Sequence, residues 1–158
     1  MNSLARWNVV LVFAILACTA SILVRMFARP KPYRYGSCLS NIKQLGLGVL
    51  MYANDYDDKL PKAAVWMDSI GEYTKGSNLY HDPELNGTTE YGYAFRDKAS
   101  GIKSASVAKP AEFQLIFDSV LLGRNAHSEP STMPHPGRHL GHNCVGYMDG
   151  HAKSLAMP

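Results

Sequence analysis

The residues best equipped for chemistry lie near the C-terminus, in RHLGHNCVGYMDGHAKSL, residues 138–155. This stretch holds three of the chain's six histidines, with Cys144 and Asp149 among them. His139 and His142 are three residues apart and His151 follows Asp149-Gly150, so the three rings and the Asp149 carboxylate can converge on zinc. Zinc takes three or four such ligands around a tetrahedron. The pattern is weak, because neither His-Glu-x-x-His nor a paired Cys-x-x-Cys is present. The alternative is architectural. Two short runs separated by Asp-Gly mark a hairpin with a type I′ turn, and His139 then bonds backbone to fix the loop that enters it.

A second candidate is NDYDDKL, where Asp55, Asp57 and Asp58 offer the hard oxygens calcium prefers. The EF-hand spacing and its closing Glu are absent, and the plain reading is a solvated helix end. Cys38 and Cys144 are a candidate disulfide if the domain lies outside the cytoplasm. Cys18 sits in an apolar run and packs there as a small apolar side chain. Cys144 beside His142 has the makings of a nucleophile, although a free buried thiol is the commoner outcome. No Gly-x-Ser-x-Gly elbow or phosphate-cradling loop occurs. No catalytic residue and no cofactor is therefore assigned, with zinc and calcium kept only as metal candidates.

The elements that must position these residues begin with a membrane feature. Residues 7–24 are uncharged and closed by Arg6 and Arg25, and snorkelling of Arg25 extends the apolar run to 27. A spanning helix over 7–27, after a short tail at 1–6, is the preferred reading. A cleaved signal ending near ACTAS is its rival. Five of the chain's 16 basic residues precede residue 36 and none of its 13 acidic ones does, so the remainder carries a formal net charge of −2. A nucleic-acid face needs clustered Lys and Arg in the folded part, and none is there. The four basic residues after the apolar run favour a cytoplasmic C-terminal side.

RPKPYRYG closes a linker over 28–36, since Pro30 and Pro32 disfavour helix before them. From residue 37, Leu39, Ile42, Leu45, Val49, Tyr52 and Tyr56 recur at steps of three and four, the mark of an amphipathic helix, with Ser37 or Ser40 as its cap. Gly46 and Gly48 weaken that helix, so another element must lie close to it. AVWMDSIGEYTK predicts a short second helix. EYGYAF and EFQLIFDS predict strands, residues 120–142 a long loop, and NCVGYM-DG-HAKSLAM the closing hairpin.

The membrane segment, CLSNIKQLGLGVLMYANDYDDKLP and RHLGHNCVGYMDGHAKSL together resemble the bacterial prepilin-like, or type II secretion pseudopilin-like, proteins. Their C-terminus carries a His, nine residues, then Asp-Gly. Here these are His139, residues 140–148, and Asp149-Gly150, followed by His151 and Lys153. YGYAF and the run from Pro110 to Ser119 fit the family's middle section.

The resemblance implies an α+β domain over 37–158, with an amphipathic helix on a small antiparallel sheet ending in a β-hairpin. His139, Asp149 and Gly150 are its structural motif. It also implies a single-pass inner-membrane protein with the domain outside the cytoplasm. Its expected partners are the lipid bilayer and other pseudopilin-like subunits or envelope proteins, as a structural component rather than an enzyme. Three features depart from the family. The glycine before Phe-Thr-Leu-Ile-Glu is missing, no glutamate lies within the apolar run, and the Pro-rich linker interrupts what is normally one long helix. A further difference is Asp82 in YHDPE, where relatives often carry cysteine.

Overall fold

The computed structural model describes residues 3–27, 34–87 and 89–158, with side chains described at Trp7, 10–21, 37–87 and 89–158. The chain divides into two compact units, residues 1–33 and 34–158. The first is helix α1, Ser3–Phe27. Every described side chain on it is exposed, including Val10, Leu11, Val12, Phe13, Ile15 and Leu16. Its described hydroxyls are satisfied within the helix, Thr19 Oγ1 donating to the Leu16 carbonyl and Ser21 Oγ to that of Ala17. Among the described residues no helix is long and apolar enough to cross a membrane. Most of the flanks of the expected span, at 8–9 and 22–27, and the linker residues 28–33 lie outside the described side chains.

The second unit is α+β. Helix α2, Arg34–Asp55, and the single-turn α3, Trp66–Ser69, accompany five strands: β1 (Tyr93–Arg96), β2 (Gln114–Asp118), β3 (His127–Ser128), β4 (His142–Tyr147) and β5 (Ala152–Ala156). The sheet order is β3-β1-β2-β4-β5. Antiparallel pairing runs from β1 to β5 through β2 and β4, but β3 lies parallel to β1. The sheet is thus mixed rather than wholly antiparallel. The expected loop at 120–142 supplies the extra strand, tied down where the Ala126 carbonyl accepts from Phe95 N and Trp66 Nε1.

α2 starts three residues before the expected boundary, so Ser37 and Ser40 lie inside it and do not cap it. Its stripe of Cys38, Ile42, Leu45 and Val49 is fully buried against the sheet, each aliphatic side chain contributing about 1.5–3 kcal/mol by leaving water. Strand alternation sorts the partners. On β4, Cys144 and Gly146 face α2, while Val145 and Tyr147 pack with Ala94, Phe117 and Met133 on the other face. The absent side chain of Gly146 makes room for Ile42, whose Cγ2 would lie 2.7 Å from a Cβ there.

The closing hairpin differs from expectation in its turn. Gly150 has φ +87° but Asp149 is not in the left-handed region, and Gly150 N donates to the Tyr147 carbonyl while Tyr147 N donates to that of His151. The loop is therefore a turn followed by one left-handed glycine rather than a two-residue type I′ turn. The two-residue reversal with positive φ at both centres occurs earlier, at Leu140 (φ 54°) and Gly141 (φ 83°), between paired His139 and His142.

The α2 glycines separate into two kinds. A Cβ at Gly48 would lie 2.8 Å from Thr74 Cγ2, and nothing lies within 4 Å of one at Gly46. Gly46→Ala should therefore raise stability by about 0.5–1 kcal/mol through helix propensity. Gly48→Ala should lower it by about 1–3 kcal/mol by overpacking. Urea unfolding of the two variants, read by circular dichroism, checks the opposite signs.

Candidate functional site

The polar centre of the domain is assembled by register. Tyr93 pairs with Asp118 across β1 and β2, and the β2–β4 register continues to bring Cys144 beside Asp118, whose Oδ2 accepts from Cys144 N at 2.7 Å. Tyr93, Asp118 and Cys144 thus form one row on the face that α2 covers. Cys38, at the start of the α2 stripe, descends onto that row, its thiol donating to Asp118 Oδ1 at 3.3 Å. The Leu140-Gly141 reversal swings His139 inward, and the segment after Tyr80 brings Asp82. Relative exposure is 0% for Cys38, Asp118 and Cys144, 1% for Asp82 and 3% for His139.

His139 Nε2 stands 3.2 Å from Asp82 Oδ2 and 3.2 Å from Asp118 Oδ2. Arg138 adds a second cation, donating through Nη1 to Asp82 Oδ2 at 3.0 Å and to the Gly92 carbonyl, and through Nη2 to that of Ser119. Gly92 is required here. With φ +83°, a Cβ would sit 2.9 Å from Asp82 Cβ and 3.0 Å from Arg138 Nη1. Asn143 fastens the incoming loop, accepting from Arg138 N and donating to the Pro134 carbonyl.

Two buried carboxylates thus face one imidazole and one guanidinium. Burial opposes charge on His139, but its hydrogen bonds to Asp118 and Asp82 prevail and its pKa is pushed up to about 12. Burial also acts to raise Asp82, yet the His139 contact and the Glu84 N–H outweigh it and hold that carboxyl below its ordinary range. Asp118, the more enclosed, is raised by burial. Burial, with Cys144 and the two carboxylates alongside, pushes the Cys38 thiol up, whereas its contact with Cys38 lowers Cys144.

The sites expected from sequence fall elsewhere or divide. His139 is in this centre, but His142 and Asp149 and His151 are on the surface. Asp149 Oδ1 accepts from His151 N and Nδ1, and the His151 ring stacks on Tyr147. The grouping of His139, His142, Asp149 and His151 does not form, because the β4 strand separates one end of the motif from the other. The acidic cluster is likewise occupied. Asp55 accepts from Tyr73 OH and Asp58 from Ser104 Oγ and Ala105 N, while Asp57 and Asp58 turn the chain with φ of 53° and 64°. Among the described residues, the one set of three or more such side chains whose ligand atoms converge is Cys38, Asp118, His139 and Cys144, all within 4.8 Å of one another. Cys38 and Cys144 are side by side as free thiols.

Sequence reasoning passed over Asp82, Asp118, Tyr93 and Arg138. A signal existed for two of them: Asp118 alternates with the apolar Ile116 in QLIFD, and Asp82 stands where the resemblance expects cysteine. Comparison with models of known families, with characterised proteins and with solved structures gives no match.

Chemically, the centre can hold charge in a fixed arrangement, and its donor atoms can hold a metal. Cys38, Asp82, Asp118, His139 and Cys144 are all buried, and Arg138 is half-buried. Removing His139 leaves two buried carboxylates with Arg138 alone, so His139→Ala should cost about 3–5 kcal/mol. His151→Ala, at an exposed pair, should stay within about 1 kcal/mol. Chemical denaturation of both variants tests the contrast, and equal losses would contradict this assignment.

Asp58 supplies a pH test. The Ser104 hydroxyl, then the Ala105 N–H, hold its carboxyl below the ordinary value, so it adds stability that is present above the unfolded value and lost as pH falls. Asp58→Asn should lose less stability than the parent between about pH 5 and about pH 3. Thermal melts across that range measure it.

Proposed function

We propose that this chain is a membrane-anchored, pseudopilin-like structural subunit of a bacterial envelope assembly of the type II secretion or type IV pilus kind. On this reading the domain lies outside the cytoplasm and acts through its surfaces. The observation that carries it is the division of labour along the chain. An apolar helix, exposed at every described side chain, is followed by a separate unit that seals its reactive groups inside.

The back-bonded hydroxyls of Thr19 and Ser21 suit a helix in lipid, where water cannot satisfy them. The sealed centre argues against a hydrolase, since a nucleophile or general base must reach its substrate. In the second unit, a helix laid along a sheet that ends in a C-terminal hairpin is the arrangement the resemblance implies. A second reading is a solitary anchored binding domain that does not polymerise. It is favoured by the lack of a glutamate in the apolar run, the group expected to meet a neighbouring subunit's N-terminus.

The full chain should float with lipid vesicles in a density gradient, and a chain starting at residue 34 should stay at the bottom. Cross-linking in the native cell should then capture other envelope subunits with the full chain. A chain captured with no partner favours the solitary reading, and a full chain that fails to float sinks both.

A further inference from the structure

We propose that Cys38, Asp118, His139 and Cys144 bind a single zinc ion as a closed structural site. The ligand atoms come from four separate places in the fold: α2, the end of β2, the 139–142 reversal and β4. They meet within 4.8 Å of one another in the interior. Ligands around a tetrahedral zinc, with bonds of about 2.0–2.3 Å, lie roughly 3.3–3.8 Å apart. The Asp118 carboxylate already lies close to that distance from two of the others, His139 Nε2 being 3.2 Å from Oδ2 and Cys38 Sγ 3.3 Å from Oδ1. The remaining pairs, all within 4.8 Å, close by up to about 1 Å when the ion binds.

The donor set selects the metal. Two sulfurs and an imidazole are soft and borderline ligands that suit zinc and disfavour calcium or magnesium, which require oxygen. Four protein ligands with no open position make the site structural rather than catalytic.

The surroundings supply the outer contacts such a site needs. Cys144 N holds Asp118 through Oδ2. Asp82, which loses the His139 proton when the ring turns to metal, keeps Arg138 Nη1 and Glu84 N. The Tyr93 hydroxyl is buried without a hydrogen-bond partner among the described residues, in the row beside Cys38. A thiolate at Cys38 gives it an acceptor. Each thiol, and the His139 ring at Nε2, releases a proton to solvent as the ion binds.

The test uses the full chain in detergent, reduced and stripped with a chelator, then titrated with cobalt(II) and afterwards zinc. The expected result is a thiolate-to-cobalt charge-transfer band with tetrahedral visible bands, saturating at one ion per chain and displaced by zinc. Cys38→Ser and Cys144→Ser should each diminish the charge-transfer band, whereas His151→Ala and Asp149→Asn should leave it intact. Since either serine variant can fail to fold, the wild-type chain gives a second readout: saturating zinc should raise its Tm by about 5 °C or more over the chelated form. Absence of the thiolate band, an unchanged Tm, or an intact band in either serine variant overturns the site. So does a Cys38–Cys144 disulfide that forms in the native chain and persists with zinc present. A chain that takes up zinc but does not float on vesicles overturns the anchored reading alone.

Discussion

Burial of two carboxylates beneath α2 is the constraint around which the second unit is organised. An isolated carboxylate in an apolar interior is too costly to keep charged, so Asp82 and Asp118 oblige the fold to deliver cations to the same point. His139 and Arg138 are consecutive, and their side chains reach the pair from one tight segment. That delivery requires the reversal at Leu140-Gly141, the Asn143 fastening of the loop behind it, and the bare backbone at Gly92 that lets Arg138 approach.

The same constraint gives the His, nine residues, Asp-Gly spacing a physical meaning. His139 lies before β4 and Asp149-Gly150 lies after it, so the interval is one reversal, one strand and one turn. Side chains alternate between faces, and adding or removing one residue would turn Cys144 and Gly146 away from α2 and put Val145 in their place. There Val145 would meet Ile42, where Gly146 now leaves space, and Cys144 would leave the row beside Asp118. The motif therefore measures a strand, and its two ends serve different purposes: one is buried chemistry, the other a surface turn.

Much of this was legible in the sequence where local pattern decides. The stripe from Leu39 to Val49 was readable because helical periodicity needs no partner to be visible, and Gly48 rightly signalled a close neighbour. EYGYAF, EFQLIFDS and the terminal hairpin were readable for similar reasons. What was not legible depends on pairing between distant segments. β3 is two residues long and exists because Phe95 and Trp66 hold Ala126, contacts that no window around residue 127 contains. The left-handed conformation of Leu140 could not be foreseen, because an exposed leucine rarely adopts it. The histidine cluster misled because three identical residues in a short stretch invite a common purpose, whereas the strand between them sends the rings to different environments.

A buried ionic centre is a poor way to add stability, since apolar side chains of similar volume often do as well or better. Its advantage here is positional. Ile42, Leu45, Ile116 and Val145 would tolerate a shifted helix or a slipped strand at modest cost, because apolar contacts carry no direction. Asp118 tolerates neither: Oδ2 must meet Cys144 N, Oδ1 must meet Cys38, and the carboxylate must face His139. One side chain on β2 thereby fixes α2, β4 and the 139–142 reversal at once. On the proposed reading, a domain that works through contact surfaces needs those elements held in one register more than it needs additional free energy. That directional demand accounts for polar residues occupying a fully buried position in the fold.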